Sequence, residues 1–555
     1  MSSALTKGAW IVAGLCVAPM IAAAIAAVSG DLETWRGLAD TVLPRYITAT
    51  LTLVLLVSIG TAAIGTGAAW LVTVYRFPGA RVLEVLLALP LAFPAYVLAY
   101  AYTDLLDHPG IVQTTLREVM EWGPRDYWFP EIRSLGGAAA MLIFVLYPYV
   151  YLLARAAFRQ QSSNAYLAAR TLGTGPFGAF WRVSLPMARP AIAAGVLLAV
   201  METIADYGTV AYFNVQTFST GIYQAWFSMG DRAAAAQLAL CLLSFALLLA
   251  ALERYQRGDG RTAGRGARFD GLARTRLDGA KGWLAAAFCA APVLFGFVIP
   301  VIALGVMSLD AEQSLTSRRY IAFMTNSLTL AAIASVVTVA GAILIGFRAR
   351  LMPGRRSRGL VMAASLGYAV PGGVIAIGLM VPFALFDNAL DAWMREMFGI
   401  RTGLLFTGSI WLLIMAYMAR FMAAALSAYD SGMETVPRNI DAVARTLGRS
   451  PGQVLGSVHL PVIRGSVLTA MLIVFVDVMK ELPATLIMRP FNYDTLAVQA
   501  HRLASDERLA EAAVPSLVIV AFGLLPVILV CRSIGRSTAR AVPGVVPDAS
   551  PGVSS

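Results

Sequence analysis

The chain has 555 residues, 58% hydrophobic and 14% charged, with 43 Lys and Arg against 32 Asp and Glu for a net charge of +11. A soluble domain is ~25% charged and ~45–50% apolar, so this composition excludes a soluble globular fold and indicates an integral membrane protein. The basic excess sits in the breaks between apolar runs, which argues for membrane topology and against nucleic-acid binding.

A membrane-crossing helix needs roughly 20 mostly apolar residues. In chain order, such runs lie near 9–29, 47–74, 82–106, 137–158, 190–212 and 232–253, then near 283–308, 326–347, 359–386, 403–426, 464–487 and 512–531. The first run, long for the apolar core of a signal peptide, is expected to be a retained helix. The predicted fold is therefore an all-α integral membrane protein of about 12 transmembrane helices. Its domains are a first transmembrane module over 1–253, a basic linker over 254–282, a second module over 283–532, and a Pro/Ser/Gly-rich tail over 533–555 expected to lack order. Cys16, Cys241, Cys289 and Cys531 lie in or at the ends of apolar runs without CxxC spacing and read as small hydrophobes.

Twelve spans place both termini on one side. The breaks on that side hold 29 basic residues and the opposite breaks 13. By the positive-inside rule the termini and linker are expected in the cytoplasm.

The two halves repeat. "AARTLGTGP" (168–176) returns as "VARTLGRSP" (443–451), an offset of 275. At the same offset Leu185-Pro186 matches Leu460-Pro461, and Arg189 matches Arg464. Six spans separate equivalent points, so the repeats are parallel, with a pseudo-two-fold axis along the membrane normal. Each phrase falls in a cytoplasmic loop between the fourth and fifth spans of its half. It reads as a short helix ended by Gly173 or Gly448, a second short helix, and a Leu-Pro entry into the next span. Such a stub is too short to cross and offers a knob for a partner.

These loops resemble the Glu-Ala-Ala…Gly…Ile-x-Leu-Pro pattern of the membrane subunits of binding-protein-dependent ATP-binding-cassette importers. The Gly falls on Gly173 and Gly448, the Leu-Pro on residues 185–186 and 460–461, and the Ala positions on Ala168 and Ala169, then Val443 and Ala444. The Glu position departs from the pattern: it holds Leu167 and Ala442, with Asp441 one residue away. The resemblance implies that Ala168, Ala169, Arg170, Gly173 and Pro186, with Ala444, Arg445, Gly448 and Pro461, belong to loops that engage two copies of a cytoplasmic ATPase. It also implies a periplasmic substrate-binding protein and residence in the bacterial inner membrane, in contact with lipid.

No GxxxxGK[ST] phosphate loop occurs, and the only Lys are Lys7, Lys281 and Lys480. ATP and Mg are therefore expected on the partner ATPase, with no cofactor in this chain. His108, His459 and His501 are widely separated in sequence and suggest no catalytic grouping, so the chain is expected to be a transport subunit rather than an enzyme.

The fifth span of each half carries acids. Glu202 and Asp206 align with Asp477 and Glu481 at the offset of 275, and Lys480 lies beside them. Each pair is spaced i, i+4, which on a helix places both carboxylates on one face. Acids at bilayer depth usually face a bundle interior or wet cavity. One reading is that they line a central passage; the alternatives are that they pair with Lys480 or an Arg to lock the bundle, or that they lie at the periplasmic mouth. The segments 202–227 and 477–502 resemble those of fused ferric-iron permeases. Carboxylate and phenolate oxygens suit a hard cation, which makes Glu202, Asp206, Tyr207, Asp477, Lys480 and Glu481 the candidate pathway residues, with no metal site assigned. Thiamine and polyamines also fit the acids, and a phosphonate fits less well. An ion-coupled secondary transporter is the reading from another class.

Overall fold

The computed structural model of the chain describes residues 3–161, 169, 171–260, 275–312, 317–434, 436–437 and 439–540. In the first half the main helices are α1 (Ser3–Val28), α2 (Leu43–Val74), α3 (Ala95–Leu106), α4 (Leu135–Gln160), α5 (Leu185–Ala205) and α6 (Arg232–Gly260). In the second they are α7 (Gly279–Leu309), α8 (Arg318–Leu351), α9 (Gly372–Phe398), α10 (Ile410–Met433), α11 (Leu460–Met479) and α12 (Leu509–Arg540). Among the described residues eleven helices are long and apolar enough to cross a membrane, and a bent pair brings the total to as many as twelve.

The bent pair is the third span of the first half. The run expected as one helix over 82–106 divides into Ala80–Leu86, a 3-10 turn Leu89–Ala92, and α3, and its two arms meet at 95°. Pro90 lies in the 3-10 turn and Pro94 caps α3; neither has an N–H to continue a helical ladder. The second half breaks in the same manner. Arg355–Ser365 and a 3-10 turn Leu366–Ala369 precede Pro371, which caps α9. The fourth span of the second half, expected over 403–426, runs instead from Ile410 to Met433. The apolar residues before it form a loop that Asp387 holds, its carboxylate accepting from Phe406 N at 3.1 Å, Thr407 N at 2.9 Å and the Thr407 hydroxyl at 2.8 Å.

Each half builds a three-helix nucleus: α2, α4 and α5 pack together, as do α8, α10 and α11. The first helix of each half crosses to the other half. α1 packs on α8 and α9, and α7 packs on α2 and α3. Ala9, Ala13, Cys16, Met20, Ala23 and Ala27 form a buried stripe along α1. Their alternating spacing of four and three keeps them on one helix face, and small residues let backbones approach closely where lipid supplies no hydrophobic drive. A Cβ on Gly378 of α9 would lie 1.9 Å from the Pro19 carbonyl oxygen of α1. Leu51, Leu55 and Ile59 of α2 point outward, exposed, as suits a lipid-facing side. Within the linker, of which 261–274 lie outside the described residues, Thr275–Arg276 pairs in parallel with Tyr75–Arg76 as a two-stranded ladder.

Candidate translocation cavity and coupling loops

A cavity of roughly 140 Å³ lies between the halves. All six candidate pathway residues border it: Glu202, Asp206 and Tyr207 from the first half, and Asp477, Lys480 and Glu481 from the second. The expected helix-face geometry is not what brings them there. α5 stops at Ala205 and α11 at Met479, so the second acid of each pair stands beyond the helix that carries the first. Asp206 instead caps the short helix Gly208–Tyr212, accepting from Thr209 N at 3.0 Å, Val210 N at 3.1 Å and the Thr209 hydroxyl at 3.0 Å. Glu481 does the same for Pro483–Met488, accepting from Ala484 N at 2.9 Å, Thr485 N at 3.1 Å and the Thr485 hydroxyl at 2.7 Å. A carboxylate at a helix N-terminus satisfies N–H groups that have no partner within the helix.

Asp477 holds Lys480 at 2.9 Å. Glu202 accepts from the Tyr368 hydroxyl at 3.4 Å. Arg420 lies well inside α10 and also borders the cavity. The later start of that span, at Ile410, puts it near the middle of the helix. A point one Cβ bond from Gly372 lies 2.6 Å from Glu481 Oε1 and 2.8 Å from Arg420 Nη1, so a side chain at this glycine would push into both.

Aromatic rings pack beside the cavity. Tyr207 stacks on Tyr223 with centroids 3.7 Å apart and meets His501 edge-on at 5.7 Å. The Tyr100 hydroxyl and His501 Nδ1 are hydrogen-bonded at 3.0 Å, and Tyr100 meets Tyr212 edge-on. These contacts join α3 and α5's following segment to the α11–α12 connection, across the two halves.

The repeated loops share one geometry. Gly173 and Gly448 have φ of +85° and +75°, a left-handed conformation that costs other residues a clash with the following carbonyl. Thr174 N donates to Ala169 O at 3.2 Å and Arg449 N to Ala444 O at 3.0 Å, the closing bond of a Schellman cap. Five-residue π turns, Phe180–Ser184 and Leu455–His459, then lead into α5 and α11, where Pro186 and Pro461 occupy the first turn. Ala169 packs against the protein and Ala444 is buried, whereas Leu172 and Leu447 are 84% and 75% exposed. Arg445 lies in the helix Asn439–Thr446; Ala168 and Arg170 fall outside the described residues.

Two matches to one family, at residues 61–257 and 339–541, account for most of the chain: the binding-protein-dependent transport system inner membrane component. The chain belongs to that family. It is a fused, duplicated permease of the ATP-binding-cassette importers, a multi-pass inner-membrane transport component. The permease is 26% identical over 490 residues to a Fe(3+)-transport system permease protein of Haemophilus influenzae, covering 87% of this chain and 89% of that one. It is 25% identical over 577 residues to a probable ABC transporter permease of Sinorhizobium fredii, covering 95% and 96%. A molybdenum transport system permease of Escherichia coli K12 is 27% identical over 190 residues, 33% of this permease and 79% of that protein.

The second repeated loop of the permease has a buried anchor that its sequence hid. Asp441 accepts from Arg350 Nε at 2.7 Å and lies 2.5 Å from His459 Nε2. Arg350 also donates to the carbonyls of Met433, Val436 and Pro437 at 3.2, 3.0 and 3.2 Å. The acid beside the missing Glu position therefore turns inward, onto the end of α8 and the start of α11. At the offset of 275 the first loop has Tyr166 and Ser184 in place of Asp441 and His459. Near that loop Glu84 binds Arg155 and Arg159, with Arg155 Nε at 2.9 Å and Arg159 Nη2 at 3.0 Å.

At the other end of the permease Arg133 ties the halves together. Its guanidinium donates to both Glu507 oxygens at 2.8 and 2.9 Å and to Asp107 at 3.0 Å. The bond to Arg133 holds the Glu507 carboxyl below its ordinary pKa.

Proposed function

We propose that this permease moves ferric iron, delivered by a periplasmic binding protein, into the cytoplasm under the power of a separate ATPase. The observation that carries the substrate is the oxygen-rich cavity between the halves, joined to likeness along most of both chains with a Fe(3+)-transport system permease. Two ATPase copies, which hold the ATP and Mg, engage the two loops through exposed Leu172 and Leu447. The termini and both loops then face the cytoplasm, in keeping with the basic bias of that side. ATP binding draws the loops together and opens the cavity outward; hydrolysis resets it, an alternating-access cycle about a fixed central site.

The test is reconstitution of the permease with its ATPase and binding protein in liposomes, offering labelled iron, thiamine, putrescine and molybdate. ATP-dependent uptake of iron above the others supports the reading. Uptake of another solute with iron excluded refutes the substrate and leaves the family assignment intact.

A further inference from the structure

Arg420 borders the cavity from within α10, yet among the described residues it has no ion-pair partner, and its Nη1 is buried without a hydrogen bond. Glu481 lies across Gly372 from it but is bonded to its own helix, and a charge at membrane depth with no bonded partner is costly and is usually retained for function. The other charges of the cavity are largely committed. Asp206 and Glu481 each cap a helix, and Asp477 holds Lys480. Glu202 has only the Tyr368 hydroxyl at 3.4 Å. One guanidinium and one carboxylate remain available, from different halves.

The repeat sharpens this asymmetry. The residue matching Arg420 at the offset of 275 is Val145, which also borders the cavity, and the match to Glu202 is the paired Asp477. Among the described residues no three His, Cys, Asp or Glu side chains converge as a set able to hold a metal ion. A hard cation prefers a full shell of oxygen ligands, so one crossing here keeps ligands of its own.

We propose that Arg420 receives an oxyanion group carried by the cargo, so that the permeating species is a small metal complex bearing phosphate or carboxylate rather than a bare ion. This rests on the cavity being the pathway of an iron importer. The planar guanidinium matches such a group with two parallel hydrogen bonds. Glu202 supplies the opposite sign for the cationic part. The cavity, at roughly 140 Å³, holds several waters or one compact complex, a single water needing about 10–15 Å³ of such space.

The test uses the whole transporter in proteoliposomes, with labelled iron supplied alone, with labelled phosphate, or with labelled citrate. In the wild type the anion label is expected to enter with the iron. Arg420→Gln is expected to lower uptake about tenfold or more, the loss of a charge-assisted hydrogen bond. Arg420→Lys keeps the charge and loses the fork; it is expected to raise the half-saturating cargo concentration more than it lowers the maximal rate, and it serves if the Gln variant fails to assemble. Iron entering equally well without either anion, or both variants transporting at the wild-type rate, overturns the proposal. Arg420-dependent uptake of molybdate in a wild type that excludes iron upholds the oxyanion contact while the ferric reading falls. Uptake of thiamine or putrescine alone, unaffected by Arg420→Gln, overturns both.

Discussion

Arg350 and Asp441 meet at 2.7 Å with side chains only 12% and 15% exposed, joining the end of a membrane helix to the short helix of the second repeated loop. His459, fully buried, takes the other carboxylate oxygen. Asp441 thus bonds to both α8 and the turn that enters α11, beside the carbonyl bonds that Arg350 makes to Val436 and Pro437.

Replacing Asp441 by Ala leaves the Arg350 guanidinium its backbone carbonyl acceptors but no carboxylate, and breaking such a pair costs about 3 kcal/mol. The expected result is a loosened second loop: ATP hydrolysis persists in the assembled complex while cargo moved per ATP falls several-fold. Parallel measurement of phosphate release and uptake checks this. An unchanged ratio would show that the anchor does not transmit motion.

Leu172 and Leu447 are exposed at equivalent points of the two loops. Exchanging both for Glu places a charge where an apolar contact is expected and should abolish co-purification of the ATPase. Each single variant should retain partial binding. Pull-down with a tagged permease measures it, and full retention by the double variant would move the docking surface elsewhere.

Glu481 is 5% exposed and serves three donors. Glu481→Ala leaves those groups unsatisfied and should cost about 2 kcal/mol, seen as a lower melting temperature; Glu481→Gln, which keeps an acceptor, should cost less. Because this carboxylate is spent on the fold, the Gln variant should transport with an unchanged KM. A large rise in KM without loss of stability would assign Glu481 to the cargo instead.

The Arg133–Glu507 contact predicts a pH response. The Glu507 pKa is lowered from the ordinary 4.5, first by the hydrogen bond from Arg133. A depressed acid contributes stability that is present above 4.5 and lost as pH falls through the lower folded value. Nitroxide labels at Glu131 and Ser505, both exposed, should report a short distance at neutral pH that lengthens on acidification below pH 4.5. Arg133→Gln should lengthen it at neutral pH, and no change in either case would show that the pair does not hold the halves together.

Hydropathy located the spans because a stretch of roughly 20 apolar residues is a local requirement of the bilayer. It misplaced their ends where the apolar signal continued past a break. The residues after Asp206 remain apolar, yet the carboxylate captures Thr209 N and Val210 N and starts a new helix. The same effect hid Arg420: an apolar loop held by Asp387 was counted into the span, and the arginine was pushed toward its end.

The sequence by itself determined the membrane class, the duplication and the Gly-ended loops of the two repeats. Each is written in composition or in a fixed spacing, and needs only local backbone preference to take effect. Tertiary structure alone decided that α1 and α7 exchange halves, that Asp441 faces Arg350, and that Arg420 borders the cavity with no ion-pair partner among the described residues. Those depend on which helix faces meet, and a one-dimensional pattern assigns a residue to a face of its own helix without naming the helix opposite.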